Sequence, residues 1–252
     1  MSLGRAAISL ARPIGELLFP QQCSACGASS GGWLCDACRQ SLLELASFPR
    51  CGTCALPVAE PDAPCPRCEG RPGRLIATVA CLGTHSGVLR HLIHQFKYAH
   101  RWTFARPLAQ WLAQQMTVQI VLSQADAIVP IPLHWRRRIT RGYNQSQLLA
   151  DALGTDAGVR VAEVLLRVRD TAHQTAIRAL TQRARNVRGA FRVGKAKAKE
   201  VIGRRIVLVD DVFTTGATLR SAARELRSAG AARVDAVVLA MADPRNRDFR
   251  TI

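Results

Sequence analysis

Short apolar runs alternate with longer segments of helical periodicity along most of the chain. Residues 127–129 and 206–209 are uninterrupted apolar runs of the kind found in buried parallel strands, and residues 74–81 predict another strand. Other segments repeat apolar residues every three or four positions, which predicts helices. The predicted helices are residues 85–101, 104–116 and 216–229. This alternation predicts an α/β domain with a central parallel sheet flanked by helices.

The segment 206–219, IVLVDDVFTTGATL, joins a predicted strand to a predicted helix. Asp210 and Asp211 stand at the carboxyl end of the strand, where paired carboxylates can bind the hydroxyls of a sugar. A helix start presents backbone N–H groups that lack helical partners and carry partial positive charge, which favours a phosphate. The turn therefore predicts a site for a sugar phosphate. The residues expected to surround the phosphate are Thr214, Thr215, Gly216, Ala217 and Thr218.

Residues 206–218 resemble the phosphoribosyl-pyrophosphate (PRPP) loop of type I phosphoribosyltransferases. The resemblance implies that Asp210 and Asp211 hold the ribose hydroxyls, while the turn, with Val209 before it, binds the 5′-phosphate. Two other interpretations compete with this one. A Walker B strand would need a GxxxxGK[ST] sequence, which the chain lacks. Alternatively, the two carboxylates only cap the following helix.

The composition is typical of a globular protein, with 252 residues of which 48% are hydrophobic and 5% aromatic. The longest clean apolar run, residues 236–242, is far shorter than the ~20 residues that cross a bilayer. Arg12, Pro13 and Glu16 interrupt the apolar N-terminal patch, so we expect residues 1–19 to be a lead-in segment and not a signal peptide. We therefore expect a cytoplasmic protein without a membrane span.

Eight of the nine cysteines form four CxxC pairs within a segment of low apolar content. Two such pairs complete a closed site of four thiolates around zinc, so the pattern predicts two structural zinc ions and a double zinc ribbon over residues 20–72. The predicted ligands are Cys23, Cys26, Cys35, Cys38, Cys51, Cys54, Cys65 and Cys68. Pairing in chain order has the shortest loops, but an interleaved arrangement remains open, as do disulfides in a secreted protein. Cys81 lies in an apolar stretch and is expected in the core.

Basic residues follow the strand predicted at residues 127–129. Four arginines precede a helix that is predicted to begin near Tyr143 with Asn144 as its cap. They are Arg136, Arg137, Arg138 and Arg141. A loop at the carboxyl end of a parallel strand is a common place for an anion site, although a run of charge can also be a solvated face. In a phosphoribosyltransferase the pyrophosphate of PRPP would sit there, which assigns it to Arg137, Arg138 and Arg141.

Residues 166–192 are polar, rich in arginine and without a steady period. A segment of this length in a compact domain is expected to act as a lid over a binding site. Arg183 in this lid and Lys97 on the polar side of the first predicted helix complete the expected PRPP-binding set. The histidines near that helix, His85, His91, His94 and His100, are expected at the surface because they do not share a face at metal-ligand spacing.

Taken together, the motifs resemble those of the ComF family. They are LLFPQQCSACG, the four CxxC pairs, LRHLIHQFKY, VPIPL with RxxxRGYNQ, RVRDTAHQTAI, RxxNVRGAF and VDDVFTTGATL, and they cover residues 17–240 in order. One departure is Ile177, where leucine is more usual. The resemblance implies a double zinc ribbon followed by a type I phosphoribosyltransferase domain over residues 75–252, PRPP bound with Mg²⁺, and an association with the uptake of single-stranded DNA and with DNA-uptake proteins. An enzyme of small-molecule metabolism without a DNA role is the alternative.

The formal net charge of +17 is unevenly distributed, with 17 basic and 5 acidic residues between positions 134 and 205. Such a surface can serve solubility alone, but a bias of this size favours a polyanionic ligand, and PRPP and nucleic acid both qualify. We expect the basic residues beyond the PRPP site to contact single-stranded DNA through its phosphates, with Phe191 as the main candidate for base stacking. These residues are Arg178, Arg183, Arg185, Arg188, Arg192, Lys195, Lys197 and Lys199.

Overall fold

A computed structural model describes residues 22–60, 63–70, 74–169 and 189–242. The elements in chain order are α1 (Asp36–Ser47), β1 (Val79–Thr84), α2 (Gly87–Tyr98), a 3₁₀ turn (Trp102–Phe104), α3 (Ala105–Ala113), α4 (Met116–Ser123), β2 (Ala127–Pro130), α5 (Trp135–Arg141), α6 (Gln145–Ala157), β3 (Leu165–Arg167), β4 (Phe191–Val193), a second 3₁₀ turn (Lys195–Glu200), β5 (Arg205–Phe213), α7 (Ala217–Ser228) and β6 (Arg233–Met241).

Four strands form a central parallel sheet in the order β1-β6-β5-β2. Strands β5 and β6 occupy the middle, and their apolar runs are almost completely buried, as strands covered on both faces require. Because all four strands run the same way, their carboxyl ends meet at one edge of the sheet. Ligands of open α/β folds bind at that edge. The predicted α/β architecture with a parallel sheet is confirmed.

Helices cover both faces of the sheet and divide the apolar core into two main clusters. One cluster joins α2, α3, α4 and α6 to one face through side chains such as Phe96, Leu108 and Leu153. The other joins α7 to the opposite face through residues such as Ala222 and Leu226. In both helix groups the apolar positions repeat with helical spacing, so burial of one stripe fixes each helix against the sheet.

The cysteine-rich segment packs against the same domain at two places. Helix α1 lies on β1, and its Leu42 is completely buried in the core cluster that contains α2. The Arg50 guanidinium donates hydrogen bonds to the Leu45 carbonyl at 3.0 Å and to the Thr84 hydroxyl at 3.1 Å. The Val79 N–H donates to the Thr53 carbonyl at 2.9 Å. These contacts hold the cysteine-rich segment along β1, from Val79 at its start to Thr84 at its end.

Several predicted boundaries are wrong. The strand predicted over residues 74–81 begins only at Val79, because the apolar pattern before it reflects burial of Ile76 and not strand geometry. The helix predicted over 104–116 ends at Ala113, where an extended Gln115 separates it from a further helix that the pattern did not predict. The strand predicted over 206–209 continues to Phe213, so both aspartates lie inside it.

The arginine-rich segment and the lid also differ in part from expectation. The predicted arginine loop is the helix α5, which Gly142 ends in a left-handed conformation. The helix after it begins as predicted, since the Asn144 side chain accepts a hydrogen bond from the Ser146 N–H. At the lid, β3 and β4 pair antiparallel at both ends of the segment. Residues 170–188 between them lie outside the described residues, so the lid stays a prediction.

Candidate functional site

The two adjacent aspartates of β5 have different partners. The Asp211 Oδ1 atom lies 2.9 Å from Lys97 Nζ in the last turn of α2, and the exposed side-chain fractions are 16% for the aspartate and 19% for the lysine. The Asp210 Oδ1 atom accepts a hydrogen bond from Ser146 Oγ at 3.1 Å and one from the Asp211 N–H at 2.9 Å. The site thus joins β5 to the end of α2 and to the start of α6.

Asp210 has a strongly perturbed carboxyl group. Burial of the carboxyl raises its pKa, and the neighbouring Asp211 charge raises it further. Lys97, Ser146 and the backbone N–H act in the opposite direction, and the resulting pKa is about 7, compared with an ordinary value of 3.8. At neutral pH this carboxyl is therefore poised between its protonated and ionised forms, a property that is frequent in functional sites.

His85 belongs to the same electrostatic neighbourhood, which the sequence analysis missed. It follows the end of β1 and is half-buried, so the prediction of a surface position is wrong for this histidine, whereas His91, His94 and His100 are exposed as predicted. Burial, and after it the charges of Lys97 and Arg90, lower the pKa of His85 to about 4 against the opposing effect of Asp211. The imidazole is therefore neutral at physiological pH.

The predicted phosphate turn connects β5 to α7. Gly216 caps the helix with a φ of +72°, a conformation that glycine adopts without strain. A Cβ atom at this position would also collide with the Phe213 ring and with the Arg220 guanidinium. The Thr215 hydroxyl accepts a hydrogen bond from the Ala217 N–H at 3.3 Å, which orders the turn. The turn directs the start of a twelve-residue helix toward the carboxyl edge of the sheet, an arrangement suited to an anion.

The predicted pyrophosphate-binding arginines lie on α5. Arg138 is exposed and lines a pocket of about 100 Å³ together with Pro132, Asn144 and Glu163. Arg141 stacks over the Tyr98 ring at 4.9 Å, and it donates a hydrogen bond of 3.3 Å to the hydroxyl of that tyrosine. The latter contact brings the end of α5 next to the end of α2, one residue from Lys97.

Two of the predicted ligand-binding side chains cannot be placed in this site. Arg137 lies in α5, but its side chain is outside the described part of the structure, and Arg183 is among residues 170–188. Their roles stay predictions.

A contact between Tyr143 and Phe96 positions helix α6. The Tyr143 hydroxyl donates a hydrogen bond to the Phe96 carbonyl, and the two rings lie 5.9 Å apart. This contact fixes the start of α6, and hence Ser146, against α2.

The eight CxxC cysteines form two compact tetrads in chain order. Within each tetrad all four Sγ atoms lie within 4.8 Å of one another, and the tetrads are Cys23, Cys26, Cys35, Cys38 and Cys51, Cys54, Cys65, Cys68. The closest cross-pair Sγ–Sγ distances are 3.5 Å to 3.7 Å. Tetrahedral zinc with Zn–S bonds of about 2.3 Å separates its sulfurs by about 3.8 Å. Both tetrads therefore fit a structural zinc ion, and the pairing in chain order is confirmed.

Two sets of contacts in the second tetrad favour thiolates, whereas burial raises the pKa of the Cys54 and Cys68 thiols. Arg74 Nη1 lies 2.8 Å from Cys68 Sγ and donates a charged hydrogen bond to it. Burial opposes ionisation of the Cys51 thiol, but the backbone N–H groups of Cys54 and Thr53 outweigh this effect and lower its pKa to about 7. Deprotonated sulfur is the form that binds zinc, so the Arg74 hydrogen bond and the backbone N–H groups suit the metal, which would replace the protons that burial favours on the other thiols.

The predicted role of Phe191 in base stacking is wrong. Its ring is completely buried, because it packs in the core beneath α7. Tyr98 and Trp135 are exposed beside the arginines of α5, and Trp102 is exposed in the turn after α2. Among the predicted basic contacts that the structure describes, Arg192, Lys195, Lys197 and Lys199 are exposed, whereas Arg178, Arg183, Arg185 and Arg188 lie outside the described residues.

None of the helices in the described part of the chain is long and apolar enough to cross a membrane.

Comparison with known families agrees with this two-part organisation. The family described as "Double zinc ribbon domain" matches residues 14–69, and the family described as "Phosphoribosyl transferase domain" matches residues 141–250. The fold and the site therefore define a phosphoribosyltransferase-type domain that carries an N-terminal double zinc ribbon. A relative named "DNA utilization protein YhgH" from Salmonella typhimurium is 35% identical over 225 residues, covering 86% of this chain and 96% of the relative.

Two further relatives carry competence names. "Competence protein F" from Haemophilus influenzae is 32% identical and covers 83% of this chain and 90% of its own. "Competence protein ComFC" from Bacillus subtilis is 25% identical and covers 79% of this chain and 80% of its own. The chain belongs to the ComF family, as its sequence motifs predicted.

Proposed function

We propose that this protein binds PRPP together with Mg²⁺ at the carboxyl edge of its sheet and acts in the handling of DNA. The observation that carries the proposal is the acidic pair of β5 followed directly by the glycine turn at the start of α7. Paired carboxylates suit a sugar diol, and a helix start suits a phosphate. Three residues separate Asp211 from Thr215, which matches the short span between a ribose and its own 5′-phosphate.

Each part of PRPP then has a group of opposite or complementary character. Asp210 and Asp211 would accept hydrogen bonds from the ribose hydroxyls, and residues 214–218 would donate backbone and hydroxyl hydrogen bonds to the 5′-phosphate. Lys97 lies within ion-pair distance of Asp211, so its ammonium would both orient that carboxylate and attract the polyphosphate. Arg138 and Arg141 at the end of α5 would contact the pyrophosphate.

Magnesium fits this site as a companion of the ligand. A hard cation that keeps several waters needs only phosphate oxygens and one or two carboxylates, and β5 offers two carboxylates. The ion would shield the charge of the pyrophosphate. It would also favour the ionised form of Asp210, whose pKa burial otherwise raises. These residues thus suit a PRPP–Mg²⁺ complex better than free PRPP.

A transferase reaction in this site would break the bond between the anomeric carbon and the pyrophosphate oxygen. A nucleophilic acceptor would supply the electron pair for the new bond, and the pyrophosphate would leave with the electrons of the old one. Arg138 and Arg141 would stabilise the charge on the leaving group, and a lid over the edge would exclude water. The same site without an acceptor would serve as a PRPP-dependent binding module.

The DNA role is supported by the names of the relatives and by the charge of this chain. Arg192 and the exposed lysines of the turn Lys195–Glu200 add positive charge beyond what one PRPP requires. Tyr98 and Trp135 provide exposed rings beside the arginines of α5, and such rings stack with unpaired bases. Single-stranded DNA is therefore the proposed polyanionic partner.

Isotopically labelled PRPP, incubated with the purified protein and Mg²⁺, tests this function. Pyrophosphate release and transfer of the labelled ribose are followed with and without single-stranded DNA, and equilibrium binding of PRPP is measured in parallel. Binding with transfer only to small nucleobases would favour the alternative of a metabolic enzyme without a DNA role. An absence of PRPP binding at millimolar concentration would refute the proposal.

A further inference from the structure

We propose that Arg67 couples the second cysteine tetrad to the phosphate turn, so that zinc in that tetrad controls the order of the turn and its affinity for phosphate. The phosphate part of this inference rests on the proposed function, whereas the structural coupling can be tested without PRPP.

Arg67 leaves the cysteine-rich segment between two ligands of the second tetrad, Cys65 and Cys68. Its guanidinium lies over the Phe213 ring, 5.5 Å from the ring centroid. The Nη1 atom also lies 3.7 Å from the sulfur of Met241. Both partners are almost fully buried at the carboxyl ends of the two central strands. A side chain of the cysteine-rich segment therefore closes over the edge of the sheet where the proposed ligand binds.

Phe213 transmits this contact to the turn. Its ring touches the Gly216 backbone so closely that no Cβ atom would fit between them. The Phe213 carbonyl accepts a hydrogen bond of 2.8 Å from the Ala242 N–H, which fixes its backbone. The far edge of the ring lies against Gly216, and the Arg67 guanidinium lies over the ring. Movement of the Arg67 guanidinium therefore changes the space available to Gly216, the left-handed residue that caps α7.

The position of Arg67 depends on the second tetrad. Among the described residues, the buried cluster around this tetrad contains only Leu56 besides Cys54 and Cys65, with Val58 packed against it, which is too little apolar surface to hold the turn of residues 65–68 without a metal. The first tetrad is different, because its Cys23 and Cys38 belong to the main core cluster beside α1 and α2. Loss of zinc should consequently loosen the second tetrad and Arg67 most.

Hydrogen exchange measured by mass spectrometry tests the structural coupling on the full-length zinc-loaded protein. Arg67→Ala is expected to increase exchange in the peptide covering residues 213–219, with Arg67→Lys intermediate, because lysine keeps the charge but loses the planar stacking. Arg39→Ala, an exposed arginine of α1, is the matched control and should leave that peptide unchanged. Cys68→Ser should reproduce the effect, whereas Cys26→Ser in the first tetrad should not.

Binding provides the second measurement. Arg67→Ala is expected to weaken PRPP–Mg²⁺ binding about three- to tenfold, in line with loss of one partly buried cation–π contact. Because coupling between two sites is reciprocal at equilibrium, PRPP should raise the zinc affinity of the second tetrad, and so reduce the zinc lost to a competing chelator at equilibrium, by a similar factor in the wild type and not in Arg67→Ala. Zinc release is followed with a chromogenic chelator.

The outcomes separate the two proposals. Unchanged exchange at residues 213–219 in both Arg67→Ala and Cys68→Ser would overturn the coupling, whether or not PRPP binds. A wild-type protein that does not bind PRPP, but whose exchange responds as expected, would overturn the proposed function and leave the coupling established. Thermal unfolding of each variant verifies that Arg67→Ala remains folded, and Arg67→Lys decides the test if it does not.

Discussion

Replacing Asp210 with Asn is expected to stabilise the protein and to weaken PRPP binding at the same time. Asn has nearly the same shape as Asp, and its carbonyl oxygen can still accept the hydrogen bonds of Ser146 and of the Asp211 N–H. The substitution therefore removes the charge and little else. Burial and the Asp211 charge both disfavour that charge in the folded protein, and they raise the pKa of Asp210 to about 7.

The direction in which stability changes with pH follows from the protonation of Asp210 in the folded and unfolded protein. The folded carboxyl stays protonated up to about pH 7, whereas in the unfolded chain it ionises near its ordinary pKa of 3.8. Unfolding therefore releases a proton between these values. The stability associated with protonated Asp210 is fully present below about pH 4 and is lost as the pH rises to about 7. Asn does not titrate, so the advantage of the variant grows over this interval and stays constant above it.

The gain in stability and the loss of PRPP affinity in Asp210→Asn can both be bounded. A pKa raised from 3.8 to about 7 corresponds to at most about 4 kcal/mol of lost stability above pH 7. Asp210 keeps partial exposure, so we expect about 2 kcal/mol, which raises the Tm of a chain of this size by roughly 4 to 8 °C. Loss of one charged hydrogen bond to a ribose hydroxyl costs about 1.5 to 3 kcal/mol, so PRPP affinity should fall by about tenfold to a hundredfold.

Scanning calorimetry between pH 5.5 and 8.5 and titration calorimetry with PRPP and Mg²⁺ measure the two effects. The zinc sites are common to both proteins, so their own pH dependence cancels in the comparison. Asp151→Asn, an exposed aspartate of α6, is the control and should change neither quantity. A variant no more stable than the wild type at pH 8.5 would show that burial does not raise the pKa of Asp210, and unchanged affinity would exclude its role with the ribose.

Three further predictions concern the rest of the molecule. Metal analysis of freshly reduced protein should give about two zinc ions per chain and no disulfides, since each thiol tetrad fits one ion; protein without zinc would refute the site assignment. Lys97→Met should lower the free energy of unfolding by about 1 to 3 kcal/mol, because it leaves the largely buried Asp211 charge uncompensated, and should weaken PRPP binding at least tenfold. Equal affinity in titration calorimetry would remove Lys97 from the ligand site. A plot of the logarithm of the binding constant for single-stranded DNA against the logarithm of the salt concentration should have a slope of about −3 to −4. Three substitutions to Ala should make this slope shallower by about 2 and leave the PRPP affinity unchanged. Those substitutions are at Lys195, Lys197 and Lys199; a flat salt dependence would mean that this charge serves only solubility.

Features encoded by neighbouring residues were the most predictable from the sequence. The glycine turn, the Asn144 cap and the CxxC pairs each depend on a few consecutive positions, and the structure contains all three. The limits of strands and helices were less predictable, because apolar periodicity records burial and not backbone geometry. Residues 205–213 illustrate this: backbone pairing with β6 continues through the polar aspartates to Phe213, although the apolar run ends at Val209.

Contacts between distant residues were beyond the sequence. Ser146 and Asp210 are 64 positions apart, and nothing near either residue indicates the other. In the sequence Arg67 only stands between the ligands Cys65 and Cys68, and the approach of the cysteine-rich segment to the ends of β5 and β6 is what places it over Phe213. The arginines of α5 were predicted in a loop because no apolar period was present. A seven-residue helix can form without one when Gly142 and two basic residues favour its C-terminus.

The acidic doublet explains why such distant contacts decide function. Asp210 and Asp211 are identical in type and adjacent in the same strand, yet within the described part of the chain only Asp211 has an ion-pair partner, the ammonium of Lys97. Asp210 accepts hydrogen bonds from neutral groups, so its ionised form costs free energy until a cation binds beside it. A ligand that brings Mg²⁺ would supply that charge and stabilise the ionised carboxyl. The site is thus expected to bind PRPP–Mg²⁺ with a net loss of protons near neutral pH, which titration calorimetry in buffers of different ionisation enthalpy would detect. Equal heats in all buffers at pH 6.5 would contradict this account of the doublet.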